Sequence, residues 1–456
     1  MRPGSYFNSA CLFLLMAALP SCKKFVEVPS PTNQLDINSV FTDDKTATAA
    51  VIGMYSDMEF SSPISAYLTI LPGLSSDELS STSSDQGFLD FFTNTYMPNN
   101  QYSAAVWGIY SNVYEANSCM QGIQNSRGLS PGTKNQLLGE ALFSRAFCYF
   151  YLVNLFGDVP LVTSTDYRIA DTMRRTPSSR VYQQMISDLL YAQTLLRSSY
   201  PTEQRVRPNL WTATSLLSRA YLFTAKWAEA ESQASSVINS GVYTMTAIDE
   251  GVFGNGSNET IWQLMPVNPY SNTQEAALFI PGSPTQIPIY PLTNDFVNAF
   301  EPGDKRITHW TGNMDIGGEL YYYPYKYRIP GGSPASEYHI VFRLAEQYLI
   351  RAEARIQQGK ITGAIQDLNI IRDRAGLPPL STSMTADLAT AALQQERRIE
   401  LFAEFGHRWL DLRRTNKIDL VLGALKPSTW RSTAALWPIP QAQRSANPFL
   451  TQNKGY

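Results

Sequence analysis

The stretch "ATSLLSRAYLFTAKWAEAESQASSVI", residues 213–238, reads as two short helices folded back on one another. Ala220, Ala225 and Ala230 are small enough for paired helices to approach closely, while Trp227 and Val237 fill the gaps. The scheme returns in "LAEQYLIRAEARIQQGKITGAIQDLNIIRDRAG", residues 344–376, carried by Ala354, Gly359, Ile361, Ala364 and Ile371. A repeated hairpin predicts stacked helical pairs, each unit burying its apolar face against the next.

Both segments lie close to the tetratricopeptide pattern of small and large positions. Working outward, "DDKTATAAVIGMY" (43–55) has a capped helix start. In "AAVWGIYSNVYEANSCMQGIQ" (104–124), Trp107, Tyr110, Val113 and Tyr114 keep helical spacing. The apolar run 139–162 predicts a helix ending at Gly157, since Pro160 forbids continuation. Pro177 opens another, with Val181, Met185, Ile186 and Leu189 on one face. Two stretches differ. Residues 61–100, rich in Ser, Pro, Gly and Asn, read as a long ordered loop, and 243–337 as irregular chain with a few short strands. The expected fold is mostly α: a solenoid-like half of tetratricopeptide-like hairpins, and a second half of irregular loops with short helices and strands. The loops are where binding residues are expected.

The chain opens with Arg2, the apolar run "ACLFLLMAAL" (10–19) and then "LPSCKK" (19–24). Basic residue, apolar run and small residues in that order read as an export signal, too short for a membrane span. Leu19-Pro20-Ser21-Cys22 looks like a lipobox, so residues 1–21 are read as a signal peptide and Cys22 as the acylated first residue of the mature chain. "KKFVEVPSPTNQ" (23–34) suits a tether. Cys119 and Cys148 read as buried free thiols in helices rather than a disulfide.

A net charge of −3 and the absence of any basic tract argue against a nucleic-acid partner. The chain is rich in aromatic residues, with 25 Tyr and 8 Trp, and such rings serve a core, an interface or a sugar platform. No His-Glu-x-x-His, phosphate-binding Gly-x-x-x-x-Gly-Lys or Gly-x-Ser-x-Gly motif is present, and His309, His339 and His407 are scattered. No cofactor or metal is expected. "GNMDIGGE" around Asp315 lacks the ligand spacing of a calcium loop and reads as a polar turn.

The densest charge pattern is "QERRIELFAEFGHRWLDLRR", 395–414. Glu396, Glu400 and Glu404 would form one column of like charge on a helix, which is unfavourable without cations alongside. Arg397, Arg398, Arg408, Arg413 and Arg414 are the partners at hand. With Asp411 the block reads as a structural ion network, and His407 within it as a satisfied hydrogen-bonding residue.

"SRAFCYFYLVNLFGDVPLV" (144–162), "LLSRAYLF" (216–223), "FRLAEQYLIRAEARIQQG" (342–359), the Glu/Arg block and the terminal "LWPIPQAQRSANPFLTQNKGY" (436–456) resemble, in order, the SusD/RagB family of outer-membrane nutrient-binding lipoproteins. The resemblance spans 22–456, with an N-terminal part to about residue 240 and a C-terminal part from 241. It implies a lipid-anchored protein at the cell surface that captures an oligosaccharide or peptide, most often a glycan. It also implies a TonB-dependent barrel transporter of the SusC type as partner, over which the protein closes as a lid, with hairpins toward the transporter and irregular loops holding the ligand. By that resemblance Asp77 matches the family's acidic residue near the ligand, Phe92 and Tyr96 lie in the aromatic loop after it, and Trp310 and Tyr322 are further ligand-facing rings. A surface glycoside hydrolase, which needs only two suitably spaced carboxylates, and a protein-only tetratricopeptide adaptor are the alternatives.

Overall fold

The structure, a computed structural model, describes residues 40–60, 64–268 and 270–456. The signal peptide, Cys22 and the tether lie outside them. Helices come first: α1 (Asp44–Phe60), α2 (Ile64–Ser75), α3 (Gln86–Thr93), α4 (Gln101–Trp107), α5 (Tyr110–Asn125), α6 (Pro131–Phe156), α7 (Tyr167–Ala170), α8 (Ser178–Leu195), α9 (Leu210–Phe223) and α10 (Trp227–Ile238). Short elements follow: β1 (Thr260–Leu264), α11 (Gln274–Phe279), α12 (Asn294–Val297), α13 (Lys305–Trp310), β2 (Thr311–Ile316), β3 (Glu319–Pro324) and β4 (His339–Arg343). Helix then resumes with α14 (Leu344–Gln357), α15 (Ile361–Ala375), α16 (Ala386–Glu400), α17 (His407–Arg414), α18 (Ile418–Leu425) and α19 (Gln441–Ala446).

The two hairpins expected from sequence are α9/α10 and α14/α15, and α10 packs against α14 so that they stack. Their turns are built alike. Ala225 and Gly359 adopt left-handed φ of 56° and 73°. The amide after each, on Lys226 and Lys360, donates back to the carbonyls of Tyr221 and Arg355 at 2.9 and 2.8 Å. Packed beside them is α6, buried on every side from Leu137 to Val153 and flanked by α5 and α8, as an all-round apolar helix must be. Buried forks tie neighbours together: Arg145 to Asp188 at 2.7 Å, and Arg219 to Glu346 at 2.6 Å between the stacked hairpins. Cys119 and Cys148 are free and buried.

Residues 61–100 are not a continuous loop. The segment contains α2, which carries Pro72 internally, and α3, capped by Asp85 accepting from the Gly87 amide. Ser- and Pro-rich composition masked the apolar run "AYLTILPGL" that buries α2. Trp107 and Tyr110 fall on separate helices, broken at Gly108. The 243–337 region holds three helices of four to six residues, too short to show a 3.6-residue period. Its strands enter two antiparallel pairs, β2 with β3, and β1 with β4 just beyond the region. Among the described residues, no helix is long and apolar enough to cross a membrane.

Candidate functional site

The acidic column meets cations brought from outside its own block. Glu400 accepts from Arg343 at 2.5 Å, from Arg306 at 3.2 Å and from Arg374. Glu404 pairs with Arg343 at 2.8 Å and Lys326 at 2.5 Å, and Glu396 with Arg372 at 2.7 Å and Arg306 at 3.0 Å. This corrects the local pairing expected from sequence. Helix α16 stops at Glu400, and the chain turns through left-handed Ala403, Phe405 and Gly406, so Glu404 is not on the helix with the other two. The block's own arginines point elsewhere: Arg397 forks onto Asp411, Arg414 forks onto Glu353 and reaches Asp411 through Nε, while Arg398 and Arg408 converge on Asp77. His407 is buried, and burial together with Arg219 and Arg397 keeps its imidazole neutral.

Three of the ring and acid positions named from the resemblance are consumed by the fold. Trp310 is 1% exposed and lies against cations, with Lys326 Nζ 4.8 Å and Arg374 Cζ 5.3 Å from its ring. Tyr96, also 1% exposed, donates to the Ala434 carbonyl and packs against Phe91, Trp437 and Tyr456. Asp77 is 4% exposed and clamped by Arg408 at 2.7 and 2.8 Å. Burial alone would raise its carboxyl, but Arg408 and Arg398 hold it below the usual carboxylate range. None of these three can face a ligand. Phe92 and Tyr322 remain half-buried; Phe92 lies over the ammonium of Lys426, and the Tyr322 carbonyl accepts from the Leu292 amide. Asp315 Oδ1 accepts from the Gly318 amide at 2.9 Å in the β2–β3 turn, and no group of acids, His or Cys among the described residues is arranged to hold a metal.

What the two irregular regions do bring together is a different set of rings. The segment after Asp77 runs beside 288–292, with the Ser80 and Thr82 amides donating to the Pro291 and Ile289 carbonyls at 2.8 and 3.0 Å. Leu292 in turn docks on β3. This junction assembles Tyr67 from α2, Phe88 from α3, Tyr102 from α4 and Tyr290 from the second region. Phe88 and Tyr102 stack with centroids 4.0 Å apart, Tyr67 meets Tyr102 edge-on at 5.4 Å, and Tyr290 backs Phe88 at 5.2 Å. Tyr290 is buried, whereas Tyr67, Phe88 and Tyr102 keep part of their surface open.

Polar groups fix this wall. Asp85 caps α3 through Oδ1 and accepts the Tyr102 hydroxyl through Oδ2 at 2.6 Å. Burial and that carboxylate push the Tyr102 phenol well up, so it stays a donor. Asn100 caps α4 and donates to the Gly87 carbonyl at 3.0 Å and to Asp90 at 3.2 Å. A Cβ on Gly87 would stand 2.6 Å from the Tyr102 ring, so this close approach needs glycine. Tyr67, Asp85 and Phe88 lie within 61–100, where Ser- and Pro-rich composition hides the helices, and Tyr102 sits just past that stretch in the first turn of α4. The signal available was the helix caps, Asp85 before Gln86-Gly87 and Asn100 before Gln101.

Fold and site together define a helical-hairpin scaffold that carries a partly open aromatic wall where α2, α3 and α4 meet the 288–292 segment. Residues 24–222 match the family model described as "Starch-binding associating with outer membrane", and residues 315–456 match the model of the SusD family. The SusD-like protein P25 of Formosa agariphila is 24% identical over 98% of both chains. The starch-binding protein SusD of Bacteroides thetaiotaomicron is 36% identical over 25% of this chain and 21% of its own. A SusD superfamily structure from Bacteroides vulgatus superposes with a TM-score of 0.81 at 20% identity, covering 91% of this chain and all of that one. A structure described as a laminarin-binding SusD-like protein gives 0.77 at 23% identity over 91% of this chain and 100% of its own. The chain belongs to the SusD family.

Proposed function

We propose that this protein binds a glycan at the cell surface and delivers it to a TonB-dependent barrel transporter of the SusC type, over which it acts as a lid. The observation that carries the binding reading is the half-open wall of Tyr67, Phe88 and Tyr102 around Asp85. Sugar rings present C–H faces that stack on aromatic rings and hydroxyls that donate to a carboxylate, and the wall offers both. Asp85 and Asp90 are occupied with helix caps and side-chain hydrogen bonds, which suits orientation of a ligand rather than its hydrolysis. The protein is therefore read as a binder without turnover. Delivery, the lid role and anchoring through an acyl group on Cys22 rest on family membership and on the lipobox "LPSC".

Isothermal titration against panels of oligosaccharides and peptides tests the binding step. Phe88→Ala and Tyr67→Ala are each expected to weaken the bound glycan by about tenfold; unchanged affinity in both variants sinks the assignment of this face. Co-purification of a barrel partner and loss of membrane fractionation in Cys22→Ser test delivery and anchoring.

A further inference from the structure

The two chain segments that build the aromatic wall are free of positive charge. No Lys or Arg occurs between Lys45 and Arg127, nor between Lys226 and Lys305. In a chain carrying 36 such residues, two gaps of that length covering both sides of one face are a property of the face. Carboxylates, by contrast, are present, both half-buried: Asp85 accepts the Tyr102 hydroxyl, and Asp90 accepts from Asn100, the cap of the helix that carries Tyr102.

The cations that other elements bring near are already committed. Lys426, beneath Phe92, donates to the carbonyls of Leu74 and Ser75 and to Asn94. Arg398 and Arg408 are held by Asp77, and Lys326 by Glu404. Arg328, past β3, donates to the His309 carbonyl.

A carboxylate is acceptor-only, so Asp85 complements a sugar hydroxyl, which can donate. Sulfate and uronate groups are themselves acceptor-only and negatively charged. At Asp85 and Asp90 they would meet both a hydrogen-bond mismatch and like-charge repulsion, with no Lys or Arg from either wall-building segment to compensate.

We propose that the Tyr67/Phe88/Tyr102 face selects glycans by charge, accepting uncharged saccharides and rejecting sulfated or uronate-bearing ones, with Asp85 and Asp90 as the specificity-determining residues. This rests on the glycan-binding reading of the same face, and goes beyond it by naming the class of glycan.

The test uses neutral gluco-, manno-, xylo- and galacto-oligosaccharides, each beside its sulfated and C6-oxidised counterpart, titrated into the mature protein at low and high salt. The expected result is binding of a neutral series with its charged counterparts at least about tenfold weaker at low salt, the gap narrowing as salt screens the carboxylates. In Asp85→Asn/Asp90→Asn, which keeps side-chain acceptors for the helix cap, the gap should shrink several-fold at low salt. A charged counterpart that binds the unaltered protein as well as or better than the neutral one overturns charge selection while leaving glycan binding standing. Binding of neither series overturns both. A gap unchanged in the double variant, with its thermal midpoint preserved, removes Asp85 and Asp90 as its cause and overturns their assignment.

Discussion

Arg408 and Asp77, 331 positions apart in the chain, meet through two hydrogen bonds of 2.7 and 2.8 Å. The pair fastens α17, from the C-terminal charge block, to the segment that leads into the aromatic wall. An acid named from sequence as ligand-facing is instead part of the foundation on which the proposed ligand-facing rings stand.

Arg343 is the hub of the buried charges, touching Glu259, Glu400 and Glu404. Arg343→Ala leaves those carboxylates short of a cation in a dry site, and should cost about 3–5 kcal/mol. Arg343→Lys should recover only part of this, because an ammonium cannot reproduce the fork. Urea unfolding of the three proteins side by side measures both effects.

Gly359 tests the hairpin turn. Its φ is 73°, and a Cβ there would meet nothing within 4 Å, so Gly359→Ala carries a backbone cost alone, about 1 kcal/mol. Ala225, in the same place in the other hairpin with φ 56°, should respond in the opposite direction, Ala225→Gly being neutral to slightly stabilising. Thermal midpoints decide.

The hairpins were legible from sequence because tight helix pairing demands small residues, as at the fully buried Ala220 and Ala364, whereas Ala225 and Gly359 mark the turns between the helices and not the helix contact itself. The candidate site was not. Tyr290 joins Phe88 and Tyr102 only once 78–82 and 288–292 have paired, a contact across some 210 positions that no local period encodes. Trp310 misled because a tryptophan in a Gly- and Asn-rich region suggests an open ring, whereas this one is the apolar lid on a set of buried cations.

Trp310→Ala should accordingly behave as a core truncation, lowering stability by about 3–5 kcal/mol. Below the variant's unfolding temperature, glycan affinity should stay within twofold of the parent's. A large loss of affinity in a folded Trp310→Ala protein would return this ring to the binding site.

Glu78 gives stability a pH dependence. Burial first, and the charge of Asp77 second, raise its carboxyl to about 8. The folded state therefore keeps a proton that the unfolded chain gives up at the ordinary Glu value, and this contribution is complete at pH values below about 4 and declines as pH rises toward 8. Comparing Glu78→Gln with the parent in urea at several pH values isolates it: the variant should gain relative stability, on the order of a few kcal/mol, between about pH 5 and 8. Parallel curves would refute the proton on Glu78.

Cys119 and Cys148 should resist thiol reagents in the native protein and react once it is unfolded. Burial raises the Cys119 thiol to about 12 and the Cys148 thiol further still, and the reactive species is the thiolate. Ellman titration before and after adding denaturant counts them.

The Arg219–Glu346 fork joins two hairpins whose partner residues are separated by more than a hundred positions. Repeat proteins held only by neighbour-to-neighbour packing can fray from one end. Here the first helical pair is bolted to the second, made much later in the chain, so melting either one strands a charge in the other. On the lid reading proposed above, such a body would swing as a single plate and pivot at its attachment, not within its own layers.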